Sequence, residues 1–186
     1  PALRASADFA IGRMTQDAAF LAPTLNPNLP VTLEDLPARS LDGRVDTFNG
    51  NARISATLTE RLRLHASYSR DMRDNRTASQ AYPAVSTDLF LGSGLRTNLP
   101  YDITQDRFKL SADYRGPGSL KASAGAEYDV RDRNYQEAVT TREATVWGRI
   151  ALQPRDDLSL GLKQAHAERD HSTYGISVWI DSPQNL

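Results

Sequence analysis

The chain has 186 residues, with 22 Lys and Arg against 23 Asp and Glu, a formal net charge of −1 that lacks the electrostatic footprint of a nucleic-acid binder. It has no cysteine, which excludes disulfides, thiolate metal sites and covalent Cys-x-x-Cys-His attachment of a c-type haem to this chain. No run approaches the ~20 apolar residues of a transmembrane helix. The mean hydropathy of −0.52 would ordinarily describe a soluble protein, but transmembrane barrels escape that test because half of each strand faces a polar lumen.

Eight strands are predicted, most of them with strict two-residue alternation. The first, Leu3–Gly12, places Leu3, Ala5, Ala7, Phe9 and Ile11 on one side. A polar segment over about 13–46 follows, carrying Pro23, Pro27, Pro30 and Pro37. Within it Thr32, followed by Asp35, either caps one helical turn or belongs to an irregular loop. In Thr47–Thr57, Phe48, Ala52, Ile54, Ala56 and Leu58 oppose Asn49, Asn51, Arg53, Ser55 and Thr57. After a tight turn at Thr59-Glu60-Arg61, the strand Leu62–Arg70 sets Leu62, Leu64, Ala66 and Tyr68 against Arg63, His65, Ser67 and Ser69.

A second long loop, about 71–105 with Pro83 and Pro100, leads to Asp106–Tyr114 and then, past Arg115-Gly116-Pro117-Gly118-Ser119, to Leu120–Arg131. Here Phe108, Leu110, Ala112 and Tyr114 oppose Arg107, Lys109, Ser111 and Asp113. Ala122, Ala124, Ala126, Tyr128 and Val130 oppose Lys121, Ser123, Gly125, Glu127, Asp129 and Arg131. A third long loop spans about 132–141. Beyond it lie Arg142–Leu152, a turn at Gln153-Pro154-Arg155-Asp156-Asp157, Leu158–Ala167 and Tyr174–Ile180.

Successive side chains of a strand point to opposite faces, so this sheet divides an apolar medium from water or a polar partner. Short turns alternating with long loops is the up-and-down order of outer-membrane barrels. The fold expected is all-β: an antiparallel up-and-down transmembrane β-barrel, present as an open fragment of about eight strands. Residues 1–186 form one partial barrel domain. The chain opens at Pro1 inside one strand-like run and stops just after another, which reads as a piece of a longer exported protein.

Tyr114 ends one apolar face just before a tight turn, and Tyr68 and Tyr128 end theirs at the far side. That spacing fits two interfacial girdles, roughly 20 Å apart for strands tilted near 40°; tyrosines terminate strands in soluble sheets as well.

On the charged face Asp113, Lys121, Glu127 and Asp129 could do acid–base work, but such arrays in a wet lumen usually form salt-bridge ladders. No catalytic residue is assigned. His166 and His171 near Glu168 and Asp170 offer a non-diagnostic metal spacing, and a solvated loop accounts for them better. Trp147 interrupts the charged face between Thr145 and Arg149. It either packs against a plug, a neighbouring side chain or a threaded protein, or fills a gap between strands.

From Asn98 onward the residues resemble a family. The stretches are Asn98-Leu99-Pro100-Tyr101-Asp102, Asp106-Arg107-Phe108-Lys109-Leu110-Ser111-Ala112-Asp113-Tyr114-Arg115 and Ser123-Ala124-Gly125-Ala126-Glu127-Tyr128-Asp129. Then come Tyr135-Gln136-Glu137, Val146-Trp147-Gly148-Arg149 and Lys163-Gln164-Ala165-His166-Ala167-Glu168-Arg169-Asp170. In order and spacing they resemble the MtrB/PioB outer-membrane barrels associated with decahaem cytochromes. The resemblance covers the second half clearly and the first half in pattern.

It implies a barrel of more than twenty strands, integral to the bacterial outer membrane. Such a barrel sheathes a periplasmic multihaem c-type cytochrome and admits an extracellular one as a second partner beside outer-membrane lipid. The haem would belong to the cytochrome, with no cofactor or metal in this chain. Arg107, Lys109, Asp113, Lys121, Glu127, Asp129, Trp147, Arg149 and Lys163 are the expected lumen-facing partner contacts. The Cys-x-x-Cys pair that can occur in the family's N-terminal region has no counterpart here. Two other readings share the alternation: a general outer-membrane channel or small barrel without cytochrome, and a soluble β-sandwich module whose apolar face is a protein core.

Overall fold

The computed structural model describes residues 2–87 and 90–175. Its elements are β1 (Ala2–Gln16), β2 (Gly43–Thr57), β3 (Leu62–Asn75), β4 (Ala81–Thr87), β5 (Phe90–Thr97), β6 (Ile103–Arg115), β7 (Lys121–Arg133), β8 (Thr140–Arg155) and β9 (Leu158–His171), with one 3-10 turn at Leu33–Asp35. Seven strands form one sheet in the order β1-β2-β3-β6-β7-β8-β9, and β4 pairs with β5 in a second. Every step in the large sheet follows chain order apart from the excursion through β4–β5. The strands β1 and β9 stand at opposite ends of that order. The predicted strand Tyr174–Ile180 lies largely outside the described residues.

Seven of the eight predicted strands are present, and most run further than expected. Strand β3 continues to Asn75, β8 begins at Thr140, and β9 reaches His171. The reason is physical: backbone ladder bonds form whether or not a face is apolar, while the alternation that marks a strand stops where both faces become polar. The last turn is correspondingly tighter than predicted. Strand β8 runs through Pro154 to Arg155, leaving Asp156-Asp157 between strands, with the register broken between Leu152 and Arg155, an irregularity that accommodates a proline.

The hairpin β4–β5 is a correction to the irregular loop expected over about 71–105. Its period is obscured by Pro83, which cannot donate to a ladder, and by register shifts on both sides of Val85.

The chain divides into two compact units: Pro1–Ile11, Phe48–Met72 and Ile103–Leu186 form one, Gly12–Thr47 and Arg73–Asp102 the other. Within the second, Asp46 receives Arg13 at 2.6 Å and Arg44 at 3.1 Å, with Arg76 at 3.3 Å. Phe20 meets Tyr82 edge to face at 5.8 Å. The Thr32 cap is present: its hydroxyl accepts from the Glu34 amide, and the Asp35 carboxylate accepts from the Thr32 amide at 2.7 Å. Those donors hold the Asp35 carboxyl below the usual carboxylate range, the Thr32 backbone first.

In the first unit β6 to β9 are antiparallel, with a register that is continuous apart from the break between Leu152 and Arg155. On the apolar face, Tyr114, Ala122, Ile150 and Leu162 fall in one row, and Leu110, Ala126, Val146 and His166 in another. Tyr68 stacks on Phe108 at 4.7 Å, and Phe108 opposes Tyr128, so three rings share the loop-side end of this face. The hairpin β6–β7 is closed by Gly118 at φ 65°, a left-handed conformation that glycine adopts without Cβ strain.

Burial is inverted relative to a water-soluble fold. Among the described residues Ala84, 7% exposed, is the one buried hydrophobic side chain, whereas Phe9 (76%), Leu110 (58%), Ile150 (53%) and Leu162 (69%) stand open. The charged face is the more covered one along β7: Ser123, Glu127 and Asp129 are intermediate while Ala124, Ala126 and Tyr128 are exposed. No helix among the described residues is long and apolar enough to cross a membrane, which leaves crossing by strands untouched.

Candidate functional site

The candidate site is the charged face of the first unit, built from alternate residues of adjacent strands. Its rows follow from the register. Arg107, Asp129, Glu143 and Arg169 lie side by side, as do Lys109, Glu127 and Thr145, then Ser111, Gly125, Trp147 and Ala165. Next come Asp113, Ser123, Arg149 and Lys163, and nearest the tight turns Arg115, Lys121 and Ala151. All nine residues singled out in the sequence therefore share this face.

Its loop-side part is a ladder of matched charges. Asp129, 15% exposed, accepts from Gln105 at 2.6 Å, Arg107 at 2.8 Å and Arg131 at 2.9 Å. Lys109 pairs with Glu127 at 3.0 Å, and Arg169 donates through Nε to Glu143 at 2.7 Å. Toward the turns, Asp113 is held by His65 at 3.3 Å and by the Ser123 hydroxyl at 2.7 Å.

The four groups weighed for acid–base work do not converge, because each carboxylate is engaged by a different donor and Lys121 lies opposite Arg115. Gln105, Ser123, His65 and Arg169 complete the network without having been singled out. The parity that marked Arg107 and Asp129 applies to the first two, while Arg169 fell in the part of β9 beyond the predicted strand.

His166, inside the expected strand, and His171, expected in the loop beyond it, both lie in β9, which corrects the solvated-loop expectation at His171. His166 contacts Glu168 at 3.2 Å on the face shared with Val146, while His171 lies opposite Thr141 on the other face. Two imidazoles on opposite faces cannot ligate one ion.

Trp147 sits over Gly125. A Cβ at Gly125 would meet the Trp147 ring at 2.7 Å and the Leu110 carbonyl oxygen at 2.8 Å, so the ring fills the space a larger residue would take. Trp147 stays half-buried, as the gap-filling reading requires. Gly125→Ala is expected to cost about 1–2 kcal/mol through overpacking against ring and backbone. Urea unfolding of the full-length protein in lipid checks this, and an unchanged midpoint would refute the contact.

The whole chain, residues 1–186, matches the family model described as "Putative outer membrane beta-barrel porin, MtrB/PioB". The chain belongs to the MtrB/PioB family. It is 33% identical over 180 residues to "Outer membrane protein MtrB" of Shewanella baltica (strain OS185), an alignment covering 97% of this chain and 25% of that protein. The chain thus spans a quarter of the length of this curated relative. The MtrB/PioB family places the protein in the outer membrane, and it is a family of porin-like proteins rather than enzymes.

Proposed function

We propose that the chain is one segment of a transmembrane β-barrel that sheathes a periplasmic multihaem c-type cytochrome, so that the haems conduct electrons across the outer membrane. One observation carries this reading: an exposed apolar face backed by a charged, hydrogen-bonded face, in a protein of the outer membrane. Hydrocarbon cannot solvate unpaired backbone or a charged haem protein. A closed sheet that is apolar outside and polar inside solves both problems. The haem belongs to the partner, and this chain contributes wall. An extracellular multihaem cytochrome fits as a second partner at the loop side.

The test is purification of the full-length protein from outer membranes in detergent, reading haem absorbance per barrel. Haem protein retained in fixed proportion is the expected result. A barrel that carries no haem and conducts ions in planar bilayers would establish the open-channel alternative, which the porin description of the family favours.

A further inference from the structure

The charged face is not evenly charged along its length. In the loop-side part each charge has an opposite charge beside it: Lys109 faces Glu127, and although Asp129 faces Glu143, Arg107 and Arg169 flank that pair and bind one carboxylate each. Toward the tight turns the same strands place like charges opposite: Arg149 faces Lys163, and Arg115 faces Lys121. Like charges directly opposed are destabilising, and these two cationic pairs, unlike Asp129 and Glu143, have no ion-pair partner among the described residues.

No ion pair among the described residues relieves them. Asp113 is the one carboxylate in those two rows, and it is already engaged by His65 and Ser123. Among the described residues no carboxylate lies within 4 Å of Lys121, Arg149 or Lys163. Arg63 joins Arg115 and Lys121 around one depression of about 250 Å³, and Arg4 and Arg53 line an adjoining one. Two carboxylates, Glu60 and Asp113, line the first depression against four cations, Arg61, Arg63, Arg115 and Lys121, so it stays net basic, and the last turn adds Asp156 and Asp157 after Arg155.

We propose that this turn-side basic strip docks a carboxylate-rich surface of the protein held against the charged face. The inference deepens the sheath reading and rests on it. Bilayer phosphates are an unsuitable occupant, because the strip lies on the face opposite Ala122, Ile150 and Leu162. A small free anion is unsuitable too. The strip runs from β3 through β6, β7 and β8 to β9, roughly 19 Å at ~4.8 Å per strand, the breadth of a protein patch rather than of one phosphate. Charge complementarity of this kind fixes register and orientation, so the partner enters with its acidic surface toward the tight turns.

The experiment uses the full-length barrel purified with its bound haem protein. A water-soluble carbodiimide joins amines to carboxylates only where they touch. Lys121 and Lys163 are expected to couple to Asp or Glu of the haem protein, while Lys109 couples within this chain to Glu127. Lys121 and Lys163 left uncoupled to it, in a complex that keeps its haem, would overturn the docking and leave the sheath standing. Wild-type barrel free of haem protein would overturn both. As a second readout, the double variant Arg149→Glu with Lys163→Glu should retain about tenfold less haem protein at physiological salt. Wild-type retention by that variant, folded by its heat-modifiable gel shift, would equally refute the proposal.

Discussion

Ala124→Arg in the full-length barrel is expected to cost about 2–4 kcal/mol of stability in lipid, because it puts a guanidinium at mid-depth in hydrocarbon. Ala124 is exposed on the apolar face, between Ala112 of β6 and Gly148 of β8. No described element covers it, so in water the same substitution would cost almost nothing and would improve solubility. The cost therefore reports the solvent on that face. Ser123→Arg, one residue away, enters the charged face beside Asp113 and Arg149. It forfeits one hydrogen bond and adds a cation to a basic row, a penalty of about 1 kcal/mol. Val130→Arg should also be mild, since Val130 shares a row with Asp106 and Arg142, where the apolar face already turns polar. Refolding into lipid vesicles, followed by urea titration, ranks the three. Equal penalties at Ala124 and Ser123 would sink the two-solvent reading.

The extent to which this arrangement could be read from residues follows from where the two solvents differ. Between Phe108 and Tyr114, or Ala122 and Val130, alternation is enforced by the contrast between faces, and the observed registers keep it residue for residue. Beyond Arg70, before Arg142 and after Leu162 both faces carry polar side chains. There the strands continue on backbone bonds and polar side-chain pairs such as Glu143–Arg169, and leave no apolar period to detect. The hairpin β4–β5 was hidden for a related reason: Pro83 and the two shifts around Val85 break the period itself. Face membership of Arg107, Lys109 and Asp129 was legible. Their partners were not, because partner choice depends on cross-strand register, which is set by turn geometry and not by composition. The like-charge rows at Arg149–Lys163 and Arg115–Lys121 emerge only once that register is fixed.

Asp129→Ala should be the costliest single change on the charged face, at about 1.5–3 kcal/mol. The carboxylate gathers Arg107, Gln105 and Arg131 while only 15% exposed, so its removal strands two guanidinium groups and an amide in a half-buried setting. Glu143→Ala provides the contrast, since the Glu143 carboxylate pairs with Arg169 in the same row. That pair is far more open, with side chains 34% and 65% exposed, so water and salt screen it and its loss should cost no more than about 1 kcal/mol. Three donors on one partly buried carboxylate also make the Asp129 effect non-additive. Arg107→Ala combined with Asp129→Ala should cost less than the two single changes summed, because the second substitution removes a charge that the first has already left unpaired. Urea unfolding of the full-length barrel in lipid, at low salt and at about 1 M salt, measures all of these. The Glu143 penalty should fade with salt while most of the Asp129 penalty persists. Equal, small and salt-sensitive losses at both positions would mean that Asp129 lies in bulk-like water, and that the charged face is an open surface rather than a lining held together by its own network.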